Sequence, residues 1–327
     1  MSRKLAVVIL LFICFLPKWV LAESTAAQFA RSVVGIDATI EPTGRTVTVL
    51  GLERSGSGVV VDSTGLIVTV GYLVLEATEI LITFGSDEPV AAEVVVNDHA
   101  TGLALLRAEL PSDIVAFSLG DSGLIGVDDD VVVLPRGGTD AAHVAGIADI
   151  REFAGSWEYL IDRAFYTAPA TRAFSGAALI NRDAELIGIG SLLLSNLYAG
   201  DIHSRRRAQS VSGNMFIPIE HLRNNMGRLL SGQPSVDPRP WLGATLNEAV
   251  PDLEIVRVAE GSPADAAGLL AQDKIIAIDD IRVATMSNFY QQLWAGEVGE
   301  SVSLLIVRQG RVMPVAVTTV DRSGWLR

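Results

Sequence analysis

The chain has 327 residues, 49% of them hydrophobic and 30 of them glycine, which is enough to bury more than one core and excludes a disordered chain. Its 25 basic residues against 38 acidic ones give a net charge of −13, and that field excludes nucleic acid as a partner. The single cysteine, Cys14, lies in the leader, so disulfides, thiolate metal ligands and cysteine catalysis are excluded from the rest of the chain.

Residues 1–22 begin with Arg3 and Lys4, continue as an apolar run from Leu5 to Leu16, break at Pro17 and Lys18, and end on small Ala22 before Glu23. This is the pattern of a secretory signal cleaved after Ala22. The alternative is an uncleaved membrane anchor, but the apolar run falls short of the roughly 20 residues that cross a bilayer.

From Val33 to Leu194 the chain is a series of short β-rich runs broken by glycine and aspartate. They are SVVGIDATI, RTVTVLGLE, GSGVVVD, GLIVTV, EILITF, AAEVVV, LALLRAEL, DDVVVL, HVAGIADI and ELIGIGSLLL. Short strands at even spacing predict an antiparallel barrel or sandwich. Ile219, Leu222, Met226 and Leu229 then recur at helical spacing and predict one amphipathic helix over 219–230. QPSVDPRP, residues 233–240, reads as a stiff linker, which places one domain at 23–232 and a second at 241–327. In the second, strand-like runs are interrupted by a helix starting at Ser262-Pro263 and stopping at Gly268. Another helix starts near Ser287 and pairs Phe289 with Leu293 and Tyr290 with Trp294.

Three segments in order, GSGVVVDSTGLIVTVGYLV (56–74), NDHATGLALLRAEL (97–110) and TAPATRAFSGAALINRDAELIGIG (167–190), resemble the catalytic segments of the HtrA (DegP-type) family of exported trypsin-like serine proteases. GNMFIPIEHL (213–222) extends the likeness, and WLGATL with VAEGSPADAAGLLAQDKIIAIDDIRV resembles the PDZ domain that follows the protease domain in that family. The resemblance implies a mostly β chain: a chymotrypsin-like double β-barrel followed by a PDZ-like α+β domain, located in the periplasm.

Against that pattern the catalytic positions are degenerate. Tyr72 stands where the family has its histidine, Gly102 where it has the aspartate, and AFSGAAL where it has G-N-S-G-G-P-L. Ser175 survives as a vestigial nucleophile. Ala173 and Phe174 occupy the oxyanion region, where Ala173 narrows the backbone freedom that glycine allows. A serine hydroxyl is a weak nucleophile without a base, and a phenol of ordinary pKa about 10 is a neutral hydrogen-bond donor at pH 7. After signal removal the only lysine is Lys274, in the second domain, so no serine–lysine pair forms in the first. His99, His143, His203 and His221 are isolated and none aligns with the base position. No metal-binding spacing is present and no cofactor is expected. Arg205–Arg207 form a basic run in a polar loop that reads as solvated.

The second domain retains more. By resemblance Trp241, Leu242, Gly243 and Ala244 form the loop that holds a peptide's C-terminal carboxylate, with Leu246, Phe289 and Leu293 lining the groove. One departure is Gln272, where the family usually has glycine. The resemblance also implies trimers held by aromatic residues near the mature N-terminus, where Phe29 is the sole candidate. The expectation is therefore an exported pseudoprotease that binds unfolded proteins or C-terminal peptides, as an adaptor, a chaperone-like factor or a partner of active proteases. Two alternatives stand beside it. One is an active serine endopeptidase that uses Ser175 with an unconventional base. In the other the barrels are a spacer and the second domain recruits the chain.

Overall fold

The computed structural model describes residues 29–199, 209–249 and 252–325. The expected leader and the Arg205–Arg207 run, with His203, lie outside the described residues.

Two closed barrels come first. β1 (Val33–Ile40), β2 (Glu53–Val60), β3 (Leu66–Val70), β4 (Ala77–Thr83), β5 (Val90–Asp98) and β6 (Leu103–Ala108) close in the order β1-β2-β3-β6-β5-β4. β7 (Asp130–Leu134), β8 (His143–Gly155), β9 (Tyr159–Ala168), β10 (Ala178–Ile180), β11 (Leu186–Ala199) and β12 (Gln209–Pro218) close in the order β10-β11-β12-β9-β8-β7. Alternation sets the inward faces, as in β1, where Ile36, Ala38 and Ile40 are buried on one side. β3 is buried at every position because its outer face meets the other barrel, and the buried Thr69 hydroxyl donates to the Ser57 carbonyl at 2.7 Å. One apolar cluster runs from Ile36, Val68 and Leu105 into Leu186, Ile189 and Ile217 of the second barrel, so the barrels share a core.

After the linker, β14 (Ala244–Ala249), β15 (Asp252–Val258), β16 (Lys274–Ile278), β18 (Ser301–Arg308) and β19 (Arg311–Thr318) form a sheet in the order β14-β15-β16-β18-β19, with β14 at its edge. β13 (Pro240–Trp241) and β20 (Val320–Asp321) form a separate pair, and β17 (Ile281–Arg282) pairs with β16. Two expected helices are present. Pro263–Ala266 is capped by the Ser262 hydroxyl, and Met286–Leu293 is capped by the Thr285 hydroxyl.

Three expectations are corrected. RTVTVLGLE is not a strand: Val47–Leu50 makes one helical turn with no buried residue, because no sheet edge is offered to it. The single helix over 219–230 is two short ones, Glu220–Arg223 and Met226–Leu230, interrupted at Asn224 and Asn225 while Ile219, Leu222 and Leu229 stay buried. β9 went unread, since Asp162 and Arg163 interrupt its apolar pattern.

Candidate functional site

Tyr72 sits on a single 3-10 turn, Gly71–Leu73, directly after β3, and Ser175 lies in the loop between β9 and β10. Arg54, a buried residue of β2, fixes the first. Its guanidinium donates to the Tyr72 and Leu75 carbonyls at 2.8 and 2.9 Å and to Thr46 Oγ1 at 2.7 Å. The Ser175 carbonyl accepts the Ser57 N–H at 2.8 Å, which ties the serine loop to the first barrel. Such closeness needs glycine. A Cβ on Gly176, whose φ is +71°, would lie 1.8 Å from the Ser57 carbonyl oxygen, and one on Gly56 would lie 2.5 Å from Leu73.

The Tyr72 hydroxyl lies 2.8 Å from Ser175 Oγ and donates to the Ser191 carbonyl at 2.9 Å. A phenol has one proton, so with that proton on the carbonyl, Ser175 is the donor in the shorter bond. Burial pushes the Tyr72 hydroxyl up to about 12, a shift only partly offset by the bond to Ser175. The serine proton therefore faces a neutral phenol oxygen, a very poor acceptor, and among the described residues Tyr72 is the side chain that meets it.

Gly102 adopts φ +76° in the turn between β5 and β6, and a Cβ there would lie 2.7 Å from the Tyr159 hydroxyl. That hydroxyl donates to the Thr101 carbonyl at 2.7 Å. Neighbouring Asp98 is turned to structural work, accepting from Thr101 Oγ1 at 2.7 Å and from the linker's Ser235 N–H at 3.3 Å. In the oxyanion region the Ala173 N–H donates to Thr171 Oγ1 at 3.2 Å. Thr171 is itself clamped to Asn214, its N–H donating to Oδ1 at 2.7 Å and its carbonyl accepting from Nδ2 at 3.0 Å. Phe174 is half-buried, and its carbonyl accepts the Ala177 N–H at 3.0 Å.

The described histidines are elsewhere. His99 lines a cavity between the barrels, the linker and the β13–β20 pair, together with Arg239, Trp241, Asp321 and Arg322. Neither Tyr72 nor Ser175 borders that cavity. Burial, followed by the nearby Arg322 charge, pushes His99 down to about 4. His221 pairs with Asp162 at 3.8 Å, and His143 is on β8. Phe29 packs on Phe117 of its own chain, ring centres 4.8 Å apart.

The second predicted site is assembled but occupied. Leu246 is in the edge strand β14, Trp241 is buried against Trp325, and Phe289, Tyr290 and Leu293 are fully buried on the Met286–Leu293 helix. The Leu242 and Gly243 N–H groups converge on the Glu158 carboxylate, at 3.2 and 3.0 Å from Oε1, and the Ala244 N–H also bonds to that carboxylate. Gly243 is at φ +84°, which the loop needs to turn its amides to one point. The Leu246 N–H donates to the Ser156 carbonyl at 2.8 Å. Tyr290 donates its hydroxyl to the Gly155 carbonyl at 2.6 Å and accepts the Glu158 N–H at 3.1 Å. Arg322 donates to the Trp157 carbonyl at 3.1 Å. Burial, outweighing these donors and Arg322, raises the Glu158 carboxyl to about 7. Sequence reasoning missed Glu158, Tyr290's hydroxyl role, Arg54 and Asn214, because each acts on a residue distant in the chain.

The trypsin-like peptidase domain profile matches residues 56–189 and the PDZ domain profile matches residues 240–319. A probable periplasmic serine endoprotease DegP-like protein of Hahella chejuensis is 26% identical over 279 residues, covering 81% of this chain and 56% of that protein. The periplasmic serine endoprotease DegP of Salmonella typhimurium is 26% identical over 275 residues, covering 80% and 55%. The chain thus spans about half the length of these relatives. Among solved structures, the HtrA-type protease AlgW with a decapeptide superposes with a TM-score of 0.54 at 19% identity, over 92% of this chain and 98% of that one. AlgW with a tripeptide gives 0.53 at 22% identity, over 94% and 98%, and both likenesses speak for the fold. With both domain profiles in this order on two barrels and a following sheet, the chain belongs to the HtrA family, a trypsin-like peptidase domain followed by a PDZ domain.

Proposed function

We propose that this chain is an exported, periplasmic HtrA member that has exchanged proteolysis for peptide recognition through its PDZ domain. The observation that carries this reading is the chain Ser175–Tyr72–Ser191, in which the nucleophile's proton points at a neutral phenol. Loss of the serine or histidine of a triad costs about 10⁶ in turnover, roughly 8 kcal/mol. Here the base and its orienting carboxylate are replaced and the Ala173 N–H is already engaged. The PDZ loop, by contrast, presents converging amides that hold a carboxylate, which supports ligands with a free C-terminus: unfolded proteins, C-terminal peptides or active proteases of the same family.

The test is cleavage of an unfolded protein by the intact chain beside its Ser175→Ala form, with fluorophosphonate labelling of both. No cleavage and no labelling by either is the expected result. Cleavage and labelling confined to the unsubstituted chain would establish instead a serine endopeptidase with an unconventional base.

A further inference from the structure

We infer that the PDZ groove is closed in cis by the β8–β9 hairpin, with Glu158 standing where the terminal carboxylate of a peptide would sit. The inference rests on the peptide-binding reading of the groove and adds its regulation.

Peptides dock on such domains by three contacts: a carboxylate in the amide loop, main-chain bonds to the sheet edge, and packing against the helix. The hairpin makes all three. Glu158 fills the loop of Leu242 and Gly243, the Ser156 carbonyl takes the Leu246 N–H of the edge strand, and Gly155 and Glu158 both bond to Tyr290 on the helix. Ala154 and Leu160, from the two arms of the hairpin, pack on the apolar core of the C-terminal sheet.

The local sequence of the turn makes the same point. Gly155 pairs with Tyr159, leaving Ser156, Trp157 and Glu158 as a three-residue hairpin loop. The last position of such loops is left-handed and normally glycine. Glu158 holds φ 60° there, a conformation an L side chain adopts at a cost. A turn selected for itself would carry glycine, whereas the side chain present is one whose carboxylate reaches the amide loop. Because the hairpin is tethered, it competes at an effective concentration on the order of millimolar, so a ligand in trans must outbid it.

The experiment is amide hydrogen exchange on the intact chain, Glu158→Gly and Tyr290→Phe, followed by binding of fluorescein-labelled decapeptides with apolar C-terminal residues, free or amidated. Glu158→Gly suits the turn, so the hairpin should persist while docking is lost; β18–β19 amides report global unfolding. The expected result is exchange at Leu242, Gly243 and Leu246 about tenfold or more faster in both variants, with β18–β19 unchanged. Free-carboxylate peptides should bind the variants about tenfold or more tighter than the intact chain, and amidated peptides should not. Equal exchange at those amides in all three proteins would overturn the closure, whatever the peptides do. Faster exchange in the variants with no peptide bound by any protein would leave the closure standing and overturn the peptide-binding reading.

Discussion

Tyr159 occupies the space that any side chain at position 102 would need: a Cβ on Gly102 would lie 2.7 Å from its hydroxyl. An aspartate there therefore needs Tyr159 to move. Gly102→Asp is expected to destabilise the chain by about 2–4 kcal/mol, through overpacking and a non-glycine residue at φ +76°. Urea unfolding beside the unsubstituted chain measures it.

A base alone should not restore the enzyme. In Tyr72→His the imidazole would lack an orienting carboxylate, a loss worth about 10⁴ in turnover in a complete triad. Fluorophosphonate labelling of Ser175 should become detectable while peptide hydrolysis stays near background. Turnover approaching that of an intact triad would contradict this account of Gly102.

Arg54 is the keystone of the Tyr72 turn. Arg54→Leu leaves the Tyr72 and Leu75 carbonyls without their donor in a buried setting, and the expected loss is about 2–4 kcal/mol. A thermal melt gives the number.

Docking of the hairpin should depend on pH with a definite sign. Glu158 has an ordinary value of 4.5 when free and is raised to about 7 in the groove, so the docked state binds the proton more tightly. That contribution is complete below 4.5 and is lost as pH rises through 7, at about tenfold per unit between them. In the docked state burial lowers the Arg322 guanidinium from its ordinary value, holds the Tyr290 phenol above its ordinary range and pushes His99 down to about 4, below this window. Asp98 and Asp321 also border that cavity. Protection of the Gly243 amide, corrected for intrinsic exchange, should fall from pH 5 to 7.5 and then level off. Glu158→Gln should abolish the slope.

Gln272 holds φ +74°, the left-handed conformation that favours glycine. Gln272→Gly should be stabilising by up to about 1 kcal/mol, part of the relief being returned as unfolded-chain entropy. Denaturant midpoints would show it.

The barrels were legible because alternation and turn residues are local signals, carried within runs such as GSGVVVD and GLIVTV. Tyr72 and Gly102 could be singled out by counting within motifs. What they touch could not. The Tyr72 bond to Ser191 spans 119 positions, and the Glu158 bond to Gly243 spans 85. Glu158 in isolation is an acidic residue in a polar turn, and only the convergence of distant amides gives it a role. The 219–230 segment misled for the opposite reason: its buried residues do recur at helical spacing, yet paired asparagines divide it without disturbing what is buried.

Glu158 and Tyr159 are consecutive, one in the groove and the other against Gly102. A single peptide bond thus joins the residue held by the Leu242–Gly243 amides to the residue packed on Gly102. Free-energy coupling between two sites is reciprocal. The factor by which a groove ligand eases accommodation of a larger residue at 102 is the factor by which that residue would tighten the ligand. Binding measured in the groove and stability measured at 102 would then be two readings of one quantity, taken at opposite ends of that bond.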